Sequence, residues 1–297
     1  MRVSEASVDP NAVVVSFGGE EEPSIDVHTL HRRYLPAAVG PLHRFFSKFG
    51  GIEPGAVLDD GDDDDDDDDD DDRYDDVDDE SRGPGTVALD EISLHVSGAG
   101  CVALVGPRGC GKSVLLRAIA GITPPTSGRI VVRGATAPAF DLFIKVMPRT
   151  GKVRDAVVSL AVAVGISARR ARRALPDVCE LLGDPELPSR WNSHLSIETR
   201  RDLVLATFLS LDSDILLLDI PISDGPVGER CRDRIRELKQ TGTLVIVSGN
   251  SLDEVEWIAD RVLTMRRGRL VGAEDFDTAF RRAAVGDAPD SSGLGDG

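Results

Sequence analysis

Short apolar runs separated by glycine-bearing polar turns recur from residue 86 onward, and between them the apolar spacing widens from two to about 3.6 residues. The runs predict strands over 87–95, 101–105, 129–133, 215–219, 243–247, 261–265 and 269–271, with an earlier one over 25–33. The wider spacing predicts helices over 112–120, 227–240, 252–259 and 275–282. Residues from about 150 to 210 read as mostly helical, including a helix over 168–182. Strand and helix alternate, so the fold class is α/β.

Upstream of residue 86 the pattern changes. In 41–50, Leu42, Phe45, Phe46 and Phe49 share one helical face, and His43, Arg44 and Lys48 lie off it. This fits a short helix packed on the domain, and also an interfacial helix near a membrane partner. Residues 59–80 then hold 17 aspartates and one glutamate against one arginine. Like charges repel and little can be buried, so an extended, disordered spacer is expected there rather than a metal cage.

That segment also explains the net charge. The chain carries −18, the segment −17, and the remainder only −1. A nearly neutral body gives no global argument for nucleic-acid binding, and no nucleic-acid partner is expected. The four cysteines, Cys101, Cys110, Cys179 and Cys231, form no C-x-x-C pair, so reduced thiols are expected. The longest apolar run, about ten residues over 157–166, is too short to span a bilayer, and the start of the chain has no signal-peptide pattern. The expected place is cytoplasmic, or peripheral on a membrane through a partner. The expected boundaries are a flexible 1–23, a first strand and amphipathic insert over 24–58, an acidic linker over 59–80, the main α/β domain over 81–283 and a loose tail over 284–297.

The chemistry-bearing motif is Gly106-Pro107-Arg108-Gly109-Cys110-Gly111-Lys112-Ser113, a G-x-x-x-x-G-K-S loop between an apolar strand and a helical run that begins at Val114. Its glycines let consecutive N–H groups turn inward towards phosphate oxygens, and the helix N-terminus adds its positive end. Lys112 is placed to reach the β- and γ-phosphates and Ser113 to bind Mg²⁺. A second candidate is Asp219, at the end of the run Ile215-Leu216-Leu217-Leu218, where a carboxylate at the sheet edge can hold Mg²⁺ through water. No N-K-x-D motif is present, which argues against a GTPase.

With both motifs in place, the chain over about 24–283 resembles the ATPase subunit of ABC transporters. The resemblance lies in GPRGCGKSVLLRAIAGITPPTSGRIVVRG, LDSDILLLDIPIS and TLVIVSGNSLDEVEWIADRVLTMRRGRLV. It implies a P-loop NTPase fold of the ABC type, with a helical subdomain over about 150–210 and an antiparallel β edge. It also implies ATP and Mg²⁺ as cofactors. The expected binding set is Tyr34, stacking on adenine, with Gly106, Gly109, Cys110, Gly111, Lys112, Ser113, Val114 and Asp219. The expected partners are a membrane permease and either a second copy or another ABC ATPase. The segments PLHRFFSKFG, VALDEISLHV and GERCRDRIRELKQTG are similar to the polysaccharide and teichoic-acid export branch.

The same resemblance exposes departures. The family's catalytic Glu falls at Ile220, and its switch His falls within Val247-Ser248-Gly249-Asn250, at Gly249. The only Gln in the chain is Gln240, so none lies between phosphate loop and signature. The signature reads Leu195-Ser196-Ile197-Glu198-Thr199, keeping Ser196 but neither glycine, and Pro226 stands where a later Asp belongs. Loss of general-base help costs about 10²–10⁴-fold. The expected protein binds nucleotide and hydrolyses it weakly or not at all. The alternatives are an active exporter ATPase, with Asp224 or Asn250 as stand-ins, and a soluble ATP-responsive regulator outside transport.

Overall fold

The computed structural model describes residues 13–16, 23–33 and 87–284. In chain order the elements are β1 (Val13–Ser16), β2 (Ser24–Arg33), β3 (Val87–Ser97), β4 (Gly100–Val105), α1 (Lys112–Ile119), β5 (Ser127–Arg133), β6 (Thr136–Phe140), α2 (Leu142–Val146), α3 (Val153–Ala163), α4 (Ala168–Leu182), α5 (Ile197–Leu209), β7 (Ile215–Asp219), α6 (Pro226–Gln240), β8 (Leu244–Gly249), β9 (Arg261–Arg266), β10 (Arg269–Asp275) and α7 (Phe276–Ala284).

Two sheets organise them. The larger has the order β10-β9-β4-β8-β7-β6, with β9, β4, β8, β7 and β6 parallel and β10 antiparallel at one edge. Its central strands, β4, β8 and β7, are near-continuous apolar runs buried along almost their whole length, as a parallel sheet covered on both faces requires. The smaller sheet has the order β1-β3-β2-β5, in which β2 runs antiparallel to both neighbours. Because β2 sits inside this sheet, the first strand belongs to the same body as the segment from residue 87 onward.

Helices α3, α4 and α5 span 153–209 and form the helical part expected over about 150–210. Helix α4 shows why it forms. Ala171, Ala174, Val178 and Leu181 fall on one buried face, Ser167 caps its start and Gly183 closes its end in the left-handed region. Arg169, Arg172 and Arg173 are exposed, and Arg170 pairs with Asp212 at 3.1 Å. Stacked Phe140 and Phe143, and Phe143 against Phe208, tie β6 and α2 to α5.

Several expectations need correction. Val13–Ser16, within the expected flexible terminus, is an edge strand paired with β3. Residues 136–140 form β6 although Pro138 and two alanines give a weak strand pattern. As an edge strand paired only with β7, β6 tolerates the proline's missing donor. The helix expected over 252–259 is a series of turns. Its start is clasped by Glu254, which accepts from the Asn250 N–H at 2.8 Å. Its end is drawn into β9 by Asp260, whose carboxylate accepts from the Cys101 N–H. The amphipathic 41–50, the acidic 59–80 and the tail beyond 284 lie outside the described residues. All four cysteines are free, and burial pushes the Cys231 thiol up to about 12.

Candidate nucleotide site

The carboxyl ends of β4, β8, β7 and β6 lie along one edge of the larger sheet, where ligands bind in open α/β folds. The segment after β4 is the phosphate loop, and it turns directly into α1. Gly106 packs so closely that a Cβ there would lie 2.2 Å from the Met265 carbonyl oxygen. Gly111 has φ +112°, and a Cβ on it would lie 2.6 Å from the Ala88 oxygen. Both positions therefore demand glycine. Cys110 is buried, its carbonyl accepting from the Gly268 N–H at 2.8 Å, which fixes the back of the loop to the β9–β10 turn. Gly109 is exposed at the tip with φ 74°.

Gly111 is the N-cap of α1, and neither a capping side chain nor an acidic residue neutralises that first turn. The positive end of the helix is thus free for an anion. Val114 is buried and anchors the turn, while Ser113, beside it, is half-buried. Lys112 is only 8% exposed and turns back into the loop. Its ammonium donates to the Gly106 carbonyl at 2.6 Å, the Pro107 carbonyl at 3.2 Å and Asn250 Oδ1 at 3.1 Å.

Asp219 ends β7, two strands away. Ser248 of β8, the strand between, donates its hydroxyl to Asp219 Oδ1 at 2.5 Å. The residue after β6 is Asp141, whose N–H donates to the Asp219 carbonyl at 3.2 Å. The Asp141 carboxylate accepts from Arg201 Nε of α5 at 3.2 Å, with both side chains largely buried. The ends of β4, β8, β7 and β6 thus lie side by side along the edge that carries the phosphate loop. The residues present fit a phosphate chain with a divalent cation: an uncapped helix end, a lysine, a hydroxyl at Ser113 and a fixed carboxylate at Asp219. Ser248, Asn250 and Asp141 were not assigned binding roles from the sequence. Their signal was their position directly at or after a strand end.

The departures also have places. Ile220 follows Asp219 and is buried, offering no proton acceptor. Gly249 has no room for a side chain, since a Cβ would lie 2.7 Å from Val255 Cγ1. The side chain that reaches the loop from this segment is Asn250. Ser196 is the N-cap of α5 and accepts from the Thr199 N–H at 3.2 Å. Ile197 beside it is 53% exposed. A hydrogen bond from Ser196, then one from its own backbone, holds the exposed Glu198 carboxyl below its usual range. Asp224 is fully exposed and 3.8 Å from Arg232. Tyr34 lies outside the described residues.

A largely parallel sheet with a glycine-rich phosphate loop between strand and helix, and a carboxylate at the end of the strand two places away, defines a P-loop nucleotide-binding protein. Residues 89–223 match the family model "ABC transporter". The taurine import ATP-binding protein TauB of Rhizobium johnstonii is 32% identical over 215 residues, covering 68% of this chain and 81% of that protein. The chain belongs to the ABC transporter ATP-binding family. The Fe(3+) ions import ATP-binding protein FbpC of Rhizobium etli is 31% identical over 195 residues, 62% of this chain and 55% of that protein. The chain spans about half the length of this iron-import relative and of a sulfate/thiosulfate-import relative. A dimeric ATP-binding cassette solved in a post-hydrolysis state with ADP and Pi superposes with a TM-score of 0.59, at 14% identity, over 85% of this chain and 98% of that one. This likeness supports the α/β ABC fold with its mixed sheets.

Proposed function

We propose that this chain is the nucleotide-binding subunit of an ABC transporter that binds Mg-ATP and hydrolyses it weakly or not at all. The observation that carries the reading is the contrast within one site. The phosphate loop is complete, with Gly106 and Gly111 in positions only glycine can take and Lys112 beside an uncapped helix end. The neighbouring position for a general base is a buried isoleucine. Gly106, Gly109, Cys110, Gly111, Lys112, Ser113 and Val114 would hold the phosphates, and Ser113 and Asp219 the Mg²⁺, with Tyr34 against the adenine. Mg²⁺ supplies charge neutralisation of the phosphates.

The signature segment argues the same way. A homodimer would bring Ile197 and Glu198 towards the partner's phosphates. A carboxylate at Glu198 repels the like charge of the phosphates it would face. A heterodimer with an ABC ATPase that keeps its glycines avoids this at one of the two sites. The partner proposed beyond that is a membrane permease, which holds the subunit at the cytoplasmic face. No helix among the described residues is long and apolar enough to cross a membrane. The nucleotide-binding unit takes in β2 and runs from β3 to α7, with the acidic 59–80 as a spacer inserted in it. The relatives above are named for import of iron, sulfate/thiosulfate or taurine, while the export resemblance rests on segments that include 41–50. Calorimetric titration with Mg-ATP, together with turnover on the same sample, tests the reading. A folded sample that binds no ATP at millimolar nucleotide overturns it.

A further inference from the structure

The three donors of the Lys112 ammonium are all engaged. Two acceptors, the Gly106 and Pro107 carbonyls, belong to the loop itself. The third, Asn250 Oδ1, comes from the segment after β8, 138 residues further along the chain. Asn250 is held in place from two sides. Its N–H donates to the Glu254 carboxylate at 2.8 Å, and the residue before it, Gly249, accepts from the Gly106 N–H at 3.2 Å. A Cβ on Gly249 would lie 2.7 Å from Val255 Cγ1, so the side chain this segment offers to the loop is that of Asn250. A phosphate oxygen that binds Lys112 must displace at least one of these three acceptors. The loop carbonyls, at 2.6 and 3.2 Å, belong to the lysine's own loop, whereas Asn250 is an outside competitor.

We propose that Asn250 is a positioning residue that holds Lys112 away from the phosphates, so that this chain binds nucleoside di- and triphosphates more weakly than its phosphate loop alone would. The inference rests on the ATP-binding reading above. It adds that affinity is set partly from β8, through one amide oxygen. Because Asn250 acts on the lysine, the effect falls equally on every nucleotide whose β-phosphate Lys112 touches.

The test is calorimetric titration of the full chain with Mg-ATP, Mg-ADP and AMP. Asn250 is exposed, so substitution there should leave the fold intact. Asn250→Ala removes the competitor, and ATP and ADP should each bind about 2–10-fold more tightly, the range expected for one net hydrogen bond, with AMP unchanged. Asn250→Asp places a carboxylate beside the ammonium and should weaken both by tenfold or more. In a Lys112→Met background, Asn250→Ala should change nothing. A purely structural role would lower Tm and weaken binding in both variants. Unchanged or weaker ATP binding by a folded Asn250→Ala overturns the proposal, as does a shift seen with ATP alone, which would make Asn250 a direct γ-phosphate ligand. Absence of binding by the wild-type chain would instead bring down the ATP-binding reading on which it rests.

Discussion

Ser248 donates its hydroxyl to the Asp219 carboxylate across adjacent strands, 2.5 Å from oxygen to oxygen. The bond orients a carboxylate that has no other side-chain donor among the described residues. If Asp219 holds Mg²⁺, its orientation is part of the metal's affinity. Ser248→Ala should therefore weaken Mg-ATP binding about 2–10-fold while leaving metal-free ATP binding, measured in EDTA, unchanged. Equal weakening in both titrations would place Ser248 outside the metal site.

The phosphate loop is pressed against the β9 strand end through Gly106. Gly106→Ala puts a methyl group 2.2 Å from a backbone oxygen that cannot swing away. The strand or the loop must shift, and a loss of about 1–3 kcal/mol in stability is expected from overpacking alone. Urea unfolding measures the loss, and ATP titration of the folded fraction should show weaker binding. A variant with wild-type midpoint and affinity would contradict the packing described.

The smaller sheet carries a pH-dependent contribution. Burial works against the Asp26 carboxylate, but hydrogen bonds to His95 at 2.5 Å and Arg133 at 2.6 Å outweigh it and lower its pKa. A folded-state pKa below the unfolded value stabilises the fold above the unfolded pKa. That stability is lost as pH falls through the folded pKa. Asp26→Asn should lower Tm at pH 7, and its gap from wild type should shrink below about pH 4. A gap that stays constant with pH would remove the carboxylate's charge from the explanation.

Much of the nucleotide site was legible because strand, glycine loop and helix follow each other within 20 residues, and local sequence dictates all three. Helix 168–182 and strand 215–219 were equally local, being set by caps and by an uninterrupted apolar run. What sequence did not reveal depends on contacts between distant segments. Strand β6 was obscured because Pro138 speaks against a strand and only its edge position excuses it. The apolar spacing over 252–259 is helical, but Glu254 folds back locally onto the Asn250 N–H and Asp260 is held from a distant strand by the Cys101 N–H. Asn250 was legible only as a possible catalytic stand-in, and the contacts of Asn250 with Lys112 and of Asp141 with Asp219 depend on strand ends brought together by the sheet.

The missing general base leads to a prediction about repair. Ile220 is packed into the core, so Ile220→Glu introduces a carboxylate where an apolar group was buried. That single change should not bring ATP turnover above background, and it should cost stability. A combined change that also replaces Ile197 and Glu198 by glycine and puts histidine at the Gly249–Asn250 segment has the better prospect. The close approach of Val255 makes Asn250→His the choice there over Gly249→His. Rapid turnover from Ile220→Glu alone would show that the base was the only part lacking.

The most direct measurement is the fate of bound nucleotide. Purified chain is loaded with γ-labelled Mg-ATP, separated from free nucleotide, held for several minutes and then extracted. Intact ATP should be recovered in near-stoichiometric amount, and Lys112→Ala should retain almost none. Recovery of ADP and labelled phosphate in place of ATP, with several turnovers per second when free Mg-ATP is kept present, and both lost in Lys112→Ala, would contradict the proposal and make the chain an active motor.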